Sequence, residues 1–132
     1  MAELHLEFVS PESVLFSGDV DQVDLPGAEG DMGILAGHAP LVTTLRPGVV
    51  TIFRGGAREA VVVTGGCAEV GPAGLTVLAD RAVAREDFDT ATLANEIKDT
   101  EEDVADSTNE AQRDKLARHL DQLKTLQAAL TP

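Results

Sequence analysis

Three histidines (His5, His38, His119) and one cysteine (Cys67) are the side chains of this 132-residue sequence best suited to hold a metal or move a proton. None stands at a ligand spacing such as C-x2-C or H-x3-H, so no metal site follows from them. No P-loop, nucleophile elbow or paired-carboxylate motif accompanies them, and no nucleophile–base pair suggests a small independent enzyme. Glycine-rich stretches lie between strand-like runs rather than between a strand and a helix, so they do not read as phosphate cradles. The chemistry to expect is recognition, with no catalytic residue and no metal.

Glycine and proline define the elements that must carry such contacts. All twelve glycines lie at or before Gly74, and every proline except Pro132 lies at or before Pro72. Both residues mark turns and weaken helix interiors, so the chain divides in two. Leu4–Val9, Val49–Phe53, Ala60–Thr64 and Leu75–Ala79 are strand-like runs, with Gly55-Gly56 as a tight hairpin turn. Turns recurring about every 8–12 residues predict an antiparallel β-sandwich over residues 1–84. With four Phe and neither Trp nor Tyr, its core must be aliphatic.

Residues 85–132 read as a two-helix hairpin, making the fold class α+β. Asp87 is the expected N-cap of the first helix, whose apolar stripe is Leu93, Ile97 and Val104. Ser107 and Glu110 resemble a capping box for the second, whose stripe is Leu116, Leu120, Leu123, Leu126 and Leu130. Such helices are marginal alone and need the sandwich or a partner.

Net charge is −13, which argues against nucleic acid and against electrostatic attachment to an anionic bilayer. The N-terminus has no basic and apolar signal regions, and no apolar run approaches the roughly 20 residues of a membrane span. A single cysteine excludes an intramolecular disulfide and suits a reducing compartment. Charge divides the hairpin: Glu86–Gln112 holds ten acidic residues and Lys98, whereas Arg113, Lys115, Arg118 and Lys124 outnumber two acids beyond it. Either the helices attract each other, or the second meets an acidic partner.

Residues 9–85 resemble the ATP synthase epsilon family. The resemblance rests on Val9-Ser10-Pro11-Glu12, Leu15-Phe16-Ser17-Gly18, Leu25–Leu35 (LPGAEGDMGIL), Gly37–Gly48 (GHAPLVTTLRPG), Gly65–Val70 and Leu75–Asp80. It implies a non-catalytic central-stalk subunit that couples proton flow to ATP synthesis and restrains hydrolysis through its C-terminal helices. It further implies that the loop with Glu29, Asp31, exposed Met32 and Gly33 meets the c-ring, near Ser10, and that His38 and Thr43 face the gamma subunit. Arg113, Lys115, Arg118 and Lys124 would contact the alpha/beta catalytic subunits in an inhibitory state. Membrane association would come only through the complex, at the cytoplasmic face of a bacterial inner membrane, since no Arg- and Ser-rich extension precedes the domain.

Some members of that family bind ATP through Ile/Leu-Asp-x-x-Arg-Ala. Here Phe88–Leu93 keeps Asp89 but has Thr92 for Arg and Leu93 for Ala, so the planar phosphate donor is missing. No cofactor is expected, and a stand-alone nucleotide-sensing module is the alternative function.

Overall fold

Alternation of apolar residues produces the strands. In β1 (Leu4–Val9), Leu4, Leu6 and Phe8 are buried while His5 and Glu7 point outward. The computed structural model describes residues 3–131. After β1 come β2 (Val14–Val20), β3 (Gln22–Gly27), β4 (Gly30–Leu35), β5 (Leu41–Leu45) and β6 (Gly48–Arg54). There follow β7 (Ala57–Val63), β8 (Gly66–Gly71), β9 (Gly74–Ala79) and β10 (Ala82–Ala84). A 3-10 turn (Arg85–Asp87) then leads to α1 (Thr90–Asp106) and α2 (Glu110–Leu130). No described helix is long and apolar enough to cross a membrane.

The ladder order β10-β7-β6-β3-β5-β8-β9-β1-β2, with β4 beside β3, forms two five-stranded sheets joined at the single pair Gly27–Leu45. Their facing sides bury Leu6, Phe8, Val23, Ile34, Val50, Val63, Leu75 and Val77. β1 and β9 run parallel, while the other described pairs are antiparallel. That approach is tight: a Cβ on Gly74, whose φ is +129°, would collide with the His5 carbonyl.

The outer side of the first sheet is also covered where β6 and β7 meet the helices. Val49 and Val62, paired across β6 and β7, meet Leu93, Ile97, Leu123, Leu126 and Leu130 of the helices. Val61 and Val63 face the opposite way, into the sandwich, which is why this strand reads as an unbroken apolar run. Leu93 and Ile97 of the expected first stripe are buried, whereas Val104 is half-exposed near the far end of the hairpin.

Two caps differ from the sequence expectation. Asp87 ends the 3-10 turn, and Asp89 caps α1 instead. Asn109 caps α2 by accepting from the Gln112 N–H at 3.0 Å, while Ser107 closes α1. Each displaced residue is acidic or hydroxylic and lies two positions upstream, so composition alone did not choose between them.

Because the hairpin and sandwich have separate apolar clusters, Leu126→Ala should cost about 2–5 kcal/mol. The loss should show in hydrogen exchange as faster amides in α1 and α2, with β1 and β9 still protected. Equal acceleration in strands and helices would contradict separate packing.

Candidate functional site

The segment expected to form an exposed loop is mostly strand. Only Ala28 and Glu29 turn the chain; Asp31, Met32 and Gly33 belong to β4, opposite Pro26, Leu25 and Asp24. Met32 is correspondingly half-buried against the core, correcting the expectation of an exposed apolar tip. Glu29 and Asp31 are exposed. Arg46, from the β5–β6 connection, forms an ion pair with Asp31, and its own N–H donates to the Pro26 carbonyl at 2.8 Å. The Ala28 N–H donates to the Thr44 carbonyl at 2.9 Å. The tip is therefore moored along its base rather than free.

Ser10 lies in the β1–β2 turn, where its hydroxyl donates to the Ser13 carbonyl at 3.4 Å. Strand register carries this turn to the same end as Glu29, because Val14, Val9, Leu78, Cys67 and Thr44 form one row across the second sheet. His38 is at the other end, its Nδ1 donating to the Ala39 carbonyl at 2.8 Å. There a cleft of about 370 Å³ separates it from His5 and the Gly71–Gly74 turn. Thr43 shares the inward side of β5 with Leu41 and Leu45, so Val42 and Thr44 are the residues presented outward. The expected contacts thus separate into a Ser10–Glu29 end and a His38 end, joined by the outer face of the second sheet.

That outer face has residues not singled out by sequence. Val42 is 75% exposed, Val14 65% and Leu78 42%, with exposed Cys67 between Leu78 and Thr44. Their signal was apolar side chains at outward positions of alternating strands. Beside them, His5 Nε2 lies 2.8 Å from Glu7 Oε1, and Nδ1 lies 3.2 Å from Asp19 Oδ1. Ser17 Oγ donates to Glu7 Oε1 at 2.6 Å. The bonds to Glu7 and then Asp19 raise the His5 pKa above its ordinary value. Those from Ser17 and then His5 lower that of Glu7.

On the hairpin, Asp89 accepts from the Ala91 N–H (3.0 Å), the Thr92 N–H (3.2 Å) and the Thr92 hydroxyl (2.8 Å). The Thr92 hydroxyl foremost holds this carboxyl below its usual range. The neighbouring cleft, about 460 Å³ between helices and β7/β10, presents Asp87, Asp89 and Glu96 against Arg81 and His119. Asp89 on this acidic wall is committed to a helix cap, and Thr92 stands in place of a guanidinium.

The basic residues of α2 also separate. Lys124 pairs with Glu101 at 3.6 Å, His119 with Glu96 at 3.5 Å, and Arg113 donates to the Ser107 carbonyl at 2.6 Å. Lys115 and Arg118 form no ion pair among the described residues. The interhelical ion pair is therefore Lys124–Glu101, with a His119–Glu96 contact beside it, and Lys115 and Arg118 take part in neither.

A family model described as the beta-sandwich domain of the ATP synthase delta/epsilon chain matches residues 3–85. The sequence is 47% identical over 131 residues to the ATP synthase epsilon chain of Afipia carboxidovorans, covering 99% of this chain and 96% of that one. Identity to the Parvibaculum lavamentivorans epsilon chain is 52% over 128 residues, covering 96% and 97%. The fold also superposes on a chain in the cryo-EM structure of Euglena gracilis mitochondrial ATP synthase (OSCP/F1/c-ring), with TM-score 0.84 and 28% identity, covering 99% of this chain and 83% of that chain.

The His5 network sets a pH window for stability. Stabilisation through raised His5 is complete below about pH 6.5 and is lost as pH rises through its higher folded value. Stabilisation through lowered Glu7 is present above about pH 4.5 and is lost as pH falls through its lower folded value. The urea midpoints of wild type and Glu7→Gln should therefore differ most between those limits, converge as pH falls through the folded Glu7 value, and keep only the part due to Ser17 as pH rises through the folded His5 value. A difference independent of pH would contradict the network.

Proposed function

This chain belongs to the ATP synthase epsilon-chain family, and from that membership we propose that it clamps the gamma subunit to the c-ring while its hairpin serves as a detachable brake on hydrolysis. The observation that carries this reading is the separation of three surfaces on one small scaffold. The moored Glu29–Asp31 tip and the Ser10 turn end the sandwich, where they would meet the c-ring. The outer face of the second sheet runs from that end toward His38 and offers apolar and acidic groups to gamma. The hairpin occupies the outer face of the other sheet, so it can leave without uncovering the docking face.

Torque transfer needs a stiff link, and the tip has one in its backbone bonds to Thr44 and Pro26. The brake needs a modest interface. Six buried residues hold the hairpin to the sheet, with Arg85 Nη2 donating to the Leu130 carbonyl at 3.3 Å. In an extended state Lys115 and Arg118 would meet acidic residues of the alpha/beta subunits, at the cytoplasmic face of a bacterial membrane. This chain contributes no catalytic group in that scheme. The nucleotide-sensing alternative is disfavoured by the acidic cleft and by the engagement of Asp89.

In reconstituted ATP synthase, Glu29→Lys should lower proton-driven synthesis several-fold and leave hydrolysis by the detached catalytic sector unchanged. Unaltered synthesis would remove the tip from the ring contact. Lys115→Ala with Arg118→Ala should relieve inhibition of hydrolysis more than Lys124→Ala, and the reverse order would oppose the assignment of the free cations. Calorimetry with millimolar ATP should give no saturable heat; a binding isotherm would revive the nucleotide-sensing reading.

A further inference from the structure

We propose that His5, with Glu7, Ser17 and Asp19, makes the outer face of the second sheet proton-responsive, so that a partner with a positively charged contact surface is held more loosely once His5 is protonated. The inference rests on the docking reading above and adds its regulation. Strands β1, β2, β5, β8 and β9 contain no lysine or arginine. Glu7, Asp19 and Glu69 give this sheet its negative charge, and His5 is its one side chain able to become a cation. A partner docking here must bring positive charge to match.

The ring geometry couples that charge to pH. Both His5 nitrogens face carboxylate oxygens from two strands, at 2.8 Å and 3.2 Å. A neutral imidazole has one N–H and satisfies one of these contacts; the imidazolium donates to both. The surroundings favour the proton. Glu3 and Glu7 come from its own chain segment, Ser17 and Asp19 from β2, and Glu69 from β8 on the same face. The intervening β9 places only Gly74 and Thr76 there. Among the described residues, His38, across the end cleft, is the one other group facing His5 able to become positive.

Protonation thus removes one unit of negative charge from the face and also occupies Glu7 and Asp19, the carboxylates a basic partner would engage. Loss of the proton restores that charge and frees one of the two carboxylates, since the neutral ring keeps a single N–H. One exposed charge corresponds to roughly a five-fold change in affinity.

The test measures affinity of the full chain for a gamma-bearing catalytic sector stripped of its own epsilon chain, at about pH 6 and about pH 8.5. Wild type should bind roughly five-fold more tightly at the higher pH, and His38→Gln should keep that ratio whatever its own affinity, whereas His5→Gln should bind equally at both. Binding by wild type without pH dependence overturns the inference and leaves the docking reading standing. So does pH dependence that survives in His5→Gln. Absence of binding at both pH values defeats the docking reading, and the inference falls with it. NMR titration of the His5 ring in the isolated chain reads the network directly: its midpoint should fall in Glu7→Gln, and an unchanged midpoint would refute the coupling.

Discussion

Val62 sits where the two apolar clusters of the molecule come back to back. Its side chain packs against Leu93, Ile97, Leu123, Leu126 and Leu130, while its neighbours Val61 and Val63 point into the sandwich. One strand thereby joins a β-sandwich to a helical hairpin, and the two sheets become unequal. The first is buried on its inner face and, where β6 and β7 meet the helices, on its outer face too. The second is buried on one, leaving an outer face of valine, leucine and carboxylates. Every functional surface follows from that inequality: the helices have a place to rest, and the open sheet has a face to give away.

The energetic scale of the two attachments differs in kind. The sandwich closes around at least a dozen buried aliphatic side chains and Phe8, tied by continuous ladders. The hairpin is held by a small leucine–valine patch, one hydrogen bond from Arg85, one exposed interhelical ion pair (Lys124–Glu101, 3.6 Å) and a His119–Glu96 contact at 3.5 Å. Exposed pairs contribute little each, so the hairpin's hold is chiefly apolar. A segment that leaves and returns needs an interface of this modest strength, whereas a clamp needs the stiffness of the ladders.

The sequence was most readable where one residue type decides the outcome. Apart from Pro132, Gly and Pro end by Gly74, at the start of the last long strand, and the β-branched run at Ala60–Thr64 announced a buried strand. Readings failed where two nearby residues could do the same job. Asp87 and Asp89 are both competent caps, and only the 3-10 turn at Arg85–Asp87 settles which one closes the helix. The glycines from Gly30 to Gly33 looked like a loop, yet the two-residue turn at Ala28–Glu29 leaves them paired in β4. That pairing half-buries Met32. Thr43 points inward because β5 follows the parity of Leu41 and Leu45, which Val42 obscures in sequence. His5-x-Glu7 and Ser17-x-Asp19 each alternate visibly, but their meeting depends on the β1–β2 register, a long-range fact with a shift at Phe8/Val9.

The central claim is that docking belongs to the sandwich and braking to the hairpin. The most direct measurement adds the full chain, or a chain ending at Arg85, to a catalytic sector depleted of its epsilon chain, recording gamma association and ATP hydrolysis together. The account predicts that both chains associate with similar affinity and that only the full chain slows hydrolysis. Loss of gamma association by the shortened chain, with its strands still folded by circular dichroism, would contradict it.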